Sequence, residues 1–85
     1  MNIFIIERYI QKIKKEDIYK FATTKNITLT TNELDTIYNY LKTYYKTFLR
    51  DYNSHTKILT ELKSKLSLPV ANKIDELYNQ YKDKI

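Results

Sequence analysis

Apolar residues return every three or four positions along nearly the whole of this 85-residue chain. That is the period of an α-helix with one buried face. The chain has no glycine and a single proline, so its punctuation must come from other residues. The rhythm predicts an all-α fold, a compact bundle of four to five short helices, in a single helical domain over residues 1–85. A chain of this size buries roughly 60–65% of its unfolded surface, which leaves a small core and little room for a deep substrate pocket.

The breaks between helices are readable. A first helix over residues 2–13 places Ile3, Ile6, Ile10 and Ile13 on one stripe, with Arg8, Gln11 and Lys12 off it. A second, over residues 16–25, begins with Glu16 and Asp17, where negative charge suits the helix dipole. Its inward side is Ile18, Phe21 and Ala22. Asn26 follows and, in the absence of glycine, is the residue best suited to a left-handed terminating position. "ITLT" then reads as a short extended link whose Ile27 and Leu29 plug the core. Thr30 and Glu33 form a capping box that opens the third helix. Leu34, Ile37, Leu41, Tyr44 or Tyr45, and Phe48 make its buried stripe. This helix runs to Arg50 or breaks near residues 43–46. Asn53 or Ser54 caps a fourth helix with His55, Ile58, Leu59, Leu62 and Leu66 on one side. Ser67 caps a fifth, with Pro69 tolerated in its first turn and Val70, Ile74, Leu77, Tyr78 and Tyr81 inward. Connections of a few residues predict that consecutive helices fold back on each other.

Composition narrows the function classes. Apolar content of 42% and charged content of 29% are near globular averages, which excludes wholesale disorder. Cysteine is absent, so a disulfide framework and a thiolate metal site are excluded, and a reducing cytosol fits. "MNIFIIERYI" stops being apolar at Glu7 and has no basic region before it, unlike a secretory signal. No stretch approaches the ~20 apolar residues of a membrane span. The expectation is a cytoplasmic protein with no membrane partner. The net charge of +5 fits an acidic partner such as nucleic acid. It fits equally an AT-rich coding sequence, which would enrich Ile, Lys, Asn, Tyr and Phe together.

The segment "EDIYKFATTKNITLTTNEL" resembles part of a family of short helical domains of unknown function typical of Firmicutes. The matching positions are Glu16, Asp17, Phe21, Ala22, Asn26, Ile27, Leu29 and Thr30. "SLPVANKIDELYNQY" resembles that family's last helix. The chain departs at Asn26, where the family tends to have glycine, and at Lys14 and Lys15, where it tends to have a Thr-Pro-type cap. The resemblance implies an α-helical fold and brings no catalytic residues. A looser analogy is to helix–link–helix nucleic-acid modules of the SAP type. Glu33 and Asp35 stand where such a module would face phosphates, and they argue against it.

No constellation for catalysis is visible. His55 is the only histidine and reads as a surface or helix-start residue. Glu61 and Lys65 read as a helix ion pair. Asp75 and Glu76, being adjacent, point apart. Without glycine there is no Gly-rich phosphate loop. As a helix-turn-helix, the pair of helices around Asn26 has its next buried positions, Leu34 and Ile37, about two residues late. Neither an enzyme nor a cofactor or metal is expected. The stretch "YNYLKTYYKTFLRDY" places Lys42, Lys46 and Arg50 on one helical ridge, with Tyr38 at its upstream end. That row is either the solvated flank of an apolar stripe or a basic-aromatic surface for RNA. The chain therefore reads as a small non-enzymatic interaction module with an unknown protein partner. The alternative is an auxiliary RNA- or ribosome-binding protein using Tyr38, Lys42, Lys46 and Arg50. A third reading is a homodimer through the stripe of Ile3, Ile6, Ile10 and Ile13.

Overall fold

The structure, a computed structural model, describes residues 3–82. Five helices follow in order: α1 (Ile3–Lys12), α2 (Lys15–Thr24), α3 (Thr31–Arg50), α4 (His55–Lys63) and α5 (Leu68–Tyr81). A 3₁₀ turn, Tyr52–Ser54, precedes α4. Among the described residues there is no strand, and the all-α expectation holds. One helix is not short. The 20 residues of α3 make a rod of roughly 30 Å at 1.5 Å per residue. The longest dimension of the molecule is 30 Å, so α3 spans it.

The start of α3 is the capping box expected at Thr30. Thr30 Oγ1 accepts from the Glu33 amide at 3.1 Å, and Glu33 Oε1 accepts from the Thr30 amide at 3.2 Å. Its helical hydrogen bonding continues without a break through residues 43–46 to Arg50. α1, α2, the 3₁₀ turn and α4 all lie against α3, whereas α5 lies against α4. Short connections predict that α1 and α2 pack on each other. They do not; each packs on α3 instead, because the apolar stripe of α3 is long enough to receive both.

The exit of α2 follows from Asn26. Its φ is 60°, in the left-handed region that asparagine tolerates better than other non-glycine residues. The Ile27 amide donates to the Ala22 carbonyl at 2.8 Å, and the Asn26 amide donates to Thr23 at 3.1 Å. This pair of bonds is the Schellman pattern, with Ile27 brought over Ala22. Ile27 and Leu29 are half-buried while Thr28 and Thr30 face solvent, as the alternation predicts. The entry to α2 is weaker. Asp17 Oδ2 accepts from the Lys14 amide at 2.9 Å, but a lysine side chain has no acceptor to return, so only half of a capping box exists.

The core is small. Ile18, Ala22, Leu62 and Val70 are buried, and among the described residues no large side chain is completely enclosed. Phe21, expected inward, is 49% exposed, and the Lys25 ammonium sits 5.8 Å from its ring centroid. Tyr81 is also on the exposed side. Three ionisable residues are buried instead: Glu7, Glu33 and His55. Ser54 does not cap α4 with its side chain; Asp51 accepts from the Asn53 amide to cap the 3₁₀ turn, and Ser54 Oγ donates to the Asp51 carbonyl. Ser67 precedes α5 as expected, with Pro69 in the first turn, yet its hydroxyl donates to Glu33 at 2.9 Å rather than accepting from its own helix.

Two substitutions test these helix ends. Asn26→Gly should leave stability unchanged or slightly raised, because glycine has no side-chain penalty at φ 60°. A loss above ~1 kcal/mol in denaturant titration would contradict the left-handed cap. Thr30→Ala should lower stability by ~1 kcal/mol, and Glu33→Ala by more, since it also releases Ser67.

Candidate functional site

The basic ridge can be followed residue by residue. Lys42 Nζ donates to the carbonyls of Ile10 and Gln11 at 2.7 and 2.8 Å. These are among the last carbonyls of α1, where a cation is favoured; the Ile10 carbonyl also accepts from the Ile13 amide at 3.2 Å. Arg50 forms a two-pronged pair with Glu7, Nε to Oε2 and Nη2 to Oε1, both at 3.0 Å, and its guanidinium lies 5.9 Å from the Phe4 ring centroid. Tyr38 has two ammonium groups on its ring, Lys15 and Lys42, each at 5.5 Å. Of the three cations of the ridge, Lys46 alone makes no hydrogen bond or ion pair within the described residues; it sits 5.9 Å from the Tyr45 ring and its charge acts on Glu7 from a distance. Tyr45 in turn accepts from Gln11 Nε2 at 3.2 Å. The structure thus brings Lys42 and Arg50 onto α1 instead of leaving a free row of three. They clamp α1 to α3, and Lys15 with Asp35 at 2.8 Å does the same for α2. Of the stripe of Ile3, Ile6, Ile10 and Ile13, Ile6 and Ile10 line a groove together with residues of α3.

Sequence reasoning missed the partner that makes the clamp. Glu7 lies next to Ile3 and Ile10 at helical spacing, so it falls on the edge of the inward stripe. A carboxylate there needs a cation, because burying an unpaired charge is costly. Its side chain is only 8% exposed. The hydrogen bond from Arg50 holds the Glu7 carboxyl below its usual value, against the opposing effect of burial. The same bond raises Arg50.

Glu33 does a second job besides its capping box. Its Oε2 accepts from the Ser67 amide and hydroxyl, both at 2.9 Å. One carboxylate therefore closes the N-terminus of α3 and holds the entry to α5. The Ser67 amide bond is the main reason its carboxyl lies below the usual value; burial opposes it.

His55 starts α4 but is not a surface residue; it is 3% exposed. Nε2 lies 2.7 Å from the Phe48 carbonyl. A carbonyl only accepts, so Nε2 carries the proton. Nδ1, in the neutral ring, then accepts from the Tyr78 hydroxyl at 2.9 Å. The ring stacks on Phe48 at 3.9 Å between centroids. His55 thereby joins α3, α4 and α5. Its position three before Ile58 and four before Leu59 was the sequence signal for burial. Among the described residues no three metal-ligating side chains converge.

A groove of about 290 Å³ lies over α3. Its floor is α3, through Ile37, Leu41, Tyr44, Tyr45, Phe48 and neighbours; Ile6 and Ile10 of α1 form one wall. The other wall is Ile58, Leu59 and Leu62 of α4. α1 and α4 do not pack on each other, so the groove is the gap between two helices that share one support. All its lining residues are Ile, Leu, Tyr or Phe. No described helix is long and apolar enough to cross a membrane. Comparison with known protein families, curated proteins and solved structures finds no match to this chain.

The two lowered carboxyls set an acid dependence. Both Glu7 and Glu33 fall below the ordinary 4.5. A group whose folded value is depressed contributes stability that is complete above its unfolded value and is lost as pH falls through the folded one. The wild-type midpoint in chemical denaturation should therefore fall as pH drops below about 4.5. Glu7→Gln and Glu33→Gln should each start less stable at neutral pH and show a shallower acid decline.

Proposed function

We propose that this chain is a small, cytoplasmic, non-enzymatic helical interaction module whose working surface is the apolar groove between α1 and α4. The observation that carries this reading is the groove's lining. It contains hydrophobic surface and no convergent acid, base or nucleophile, which suits recognition and not bond chemistry. The three buried ionisable residues support it, since each is engaged in holding helices: Glu7 by Arg50, Glu33 by Thr30 and Ser67, His55 by Phe48 and Tyr78. Membership of the Firmicutes-type family of short helical domains is part of the proposal and adds no catalytic residue to it.

RNA binding is the second reading, favoured by the net charge of +5. Of its site residues, Lys46 is the one best placed to meet a phosphate, because Lys42 and Arg50 are engaged with α1 and Tyr38 is covered by two ammonium groups. The two readings separate in one experiment. Affinity purification from the native host should retain a protein partner after nuclease treatment, and Leu59→Lys should abolish it with helicity unchanged. If the catch instead disappears with nuclease, the RNA reading holds. In that case Lys46→Ala should lower the slope of log affinity against log salt by about 0.7–0.9, and Arg50→Ala should reduce thermal stability as well as binding.

A further inference from the structure

We propose that the outward face of α1 binds single-stranded RNA, with Arg8 and Lys12 on its phosphates and the rings of Phe4 and Tyr9 under its bases. This goes beyond the groove reading and does not depend on it. At about 100° per residue α1 divides into two sides. Ile3, Ile6, Glu7 and Ile10 share one side, and all four are buried or half-buried. Phe4, Ile5, Arg8, Tyr9 and Lys12 share the other, within an arc of about 140°, and all five are exposed. Phe4 and Ile5 are each 66% exposed and Tyr9 64%. Grouped on one short helix, they form an open apolar patch of the kind that marks an interaction surface.

Charge decides the class of partner. Arg8 and Lys12 form no ion pair within the described residues. Glu7, the one carboxylate of α1, is buried on the other side and held by Arg50. The exposed face of α1 therefore carries two cations and no acid, and Lys14 and Lys15 follow before the first further acid, Glu16. Such a face attracts an anionic partner. The order around the helix decides which. Going round the face, the side chains run Phe4, Arg8, Lys12, Ile5, Tyr9. The cations are central and one turn apart, with a ring on either edge. A single strand fits that order, because its backbone can follow the cations along α1 while an unstacked base lies on each ring. A bilayer surface needs the reverse, apolar side chains together and cations on the opposite side. A second copy would set Arg8 and Lys12 against their own like charges. A duplex offers no open base face to either ring. The Tyr9 hydroxyl, which bonds nothing among the described residues, finds a partner in the ribose 2′-hydroxyl, and this favours RNA over DNA.

The test uses the full chain and a fluorescent, unstructured oligouridylate of about twelve nucleotides in anisotropy titrations at several salt concentrations. The strand should bind at ~50 mM salt and weaken as salt is raised. Arg8→Ala with Lys12→Ala should weaken it at least tenfold and lower the slope of log affinity against log salt by about 1.4, at roughly 0.7 per phosphate on a single strand. Tyr9→Ala should weaken it about fivefold or more at unchanged slope, as loss of a stacking ring does. These positions are exposed, so helicity and thermal midpoint should stay at the wild-type values. As a second measurement on the wild-type chain, amide shifts caused by the strand should concentrate on residues 4–12. The matching deoxy strand and an RNA hairpin should bind more weakly, and an oligoglutamate peptide of equal charge at least tenfold more weakly. No binding of the RNA strand at ~50 mM salt overturns the proposal. Equal binding of the peptide overturns it too, since charge alone then suffices. Equal binding of the deoxy strand overturns the choice of RNA. Capture of the chain by phosphatidylserine vesicles without RNA binding replaces the strand with a membrane. If Lys46→Ala costs affinity and the α1 variants cost none, RNA binding stands on the α3 ridge and this inference falls. Leu59→Lys should leave RNA affinity unchanged; a loss there moves the strand to the groove.

Discussion

Every layer except α5 is laid directly against α3, and α3 begins where Thr30 and Glu33 satisfy each other's amides. The constraint behind this arrangement is the size of the core. With Ile18, Ala22, Leu62 and Val70 the only buried apolar residues among those described, hydrophobic burial alone fixes helix positions loosely. A half-buried stripe can slide or rotate at small cost. Directional polar contacts remove that freedom. Lys42 and Arg50 pin α1, Lys15 with Asp35 pins the start of α2, and Glu33 and His55 pin α5. In the pair of Glu7 with Arg50 only the carboxylate is buried, the arginine side chain being 57% exposed; removing Arg50 leaves that buried carboxylate without its partner. The value of the pair here is orientation.

What was legible in the sequence was what is local. The Thr30–Glu33 box, the left-handed Asn26 and Pro69 in the first turn of α5 each depend on residues within a few positions, and the structure has all three. The rest depends on residues far apart. Arg50 meets Glu7 across 43 positions and Lys42 meets Ile10 across 32. Helical spacing groups Lys42, Lys46 and Arg50 on one ridge but says nothing about a helix arriving over it. Phe21 shows the reverse error. Its spacing marks it inward, but α2 rotates so that Ile18 and Ala22 meet α3 and the ring stays half in solvent under Lys25.

The candidate surface was legible only in part. The apolar stripe of α3 was readable, including Leu41, Tyr44, Tyr45 and Phe48. That it is left partly uncovered was not, because this depends on α1 and α4 taking opposite sides of it. Tyr40 and Tyr44, with ring centroids 5.3 Å apart, show how aromatic residues suit such an edge, each offering a broad apolar face and a polar tip. An excess of tyrosine over phenylalanine, nine to three, is tolerable in a molecule where most apolar side chains are only half enclosed.

The attachment of α5 has a consequence for how the molecule opens. Among the helices α5 packs on α4, it shares a small recess with Lys25 and Ile27, and its ties to the α3 side include Ser67 on Glu33 and Tyr78 on His55 and Phe48. α1, α2 and α4 share a single rod and lose it together, whereas α5 can detach while that rod stays intact. Local opening follows such seams, and a unit with fewer non-local contacts opens at lower free energy. In native-state hydrogen exchange the amides of α5 then form one cooperative group that exchanges ahead of the centre of α3, and each time α5 lifts, the His55 ring loses its Tyr78 hydroxyl partner.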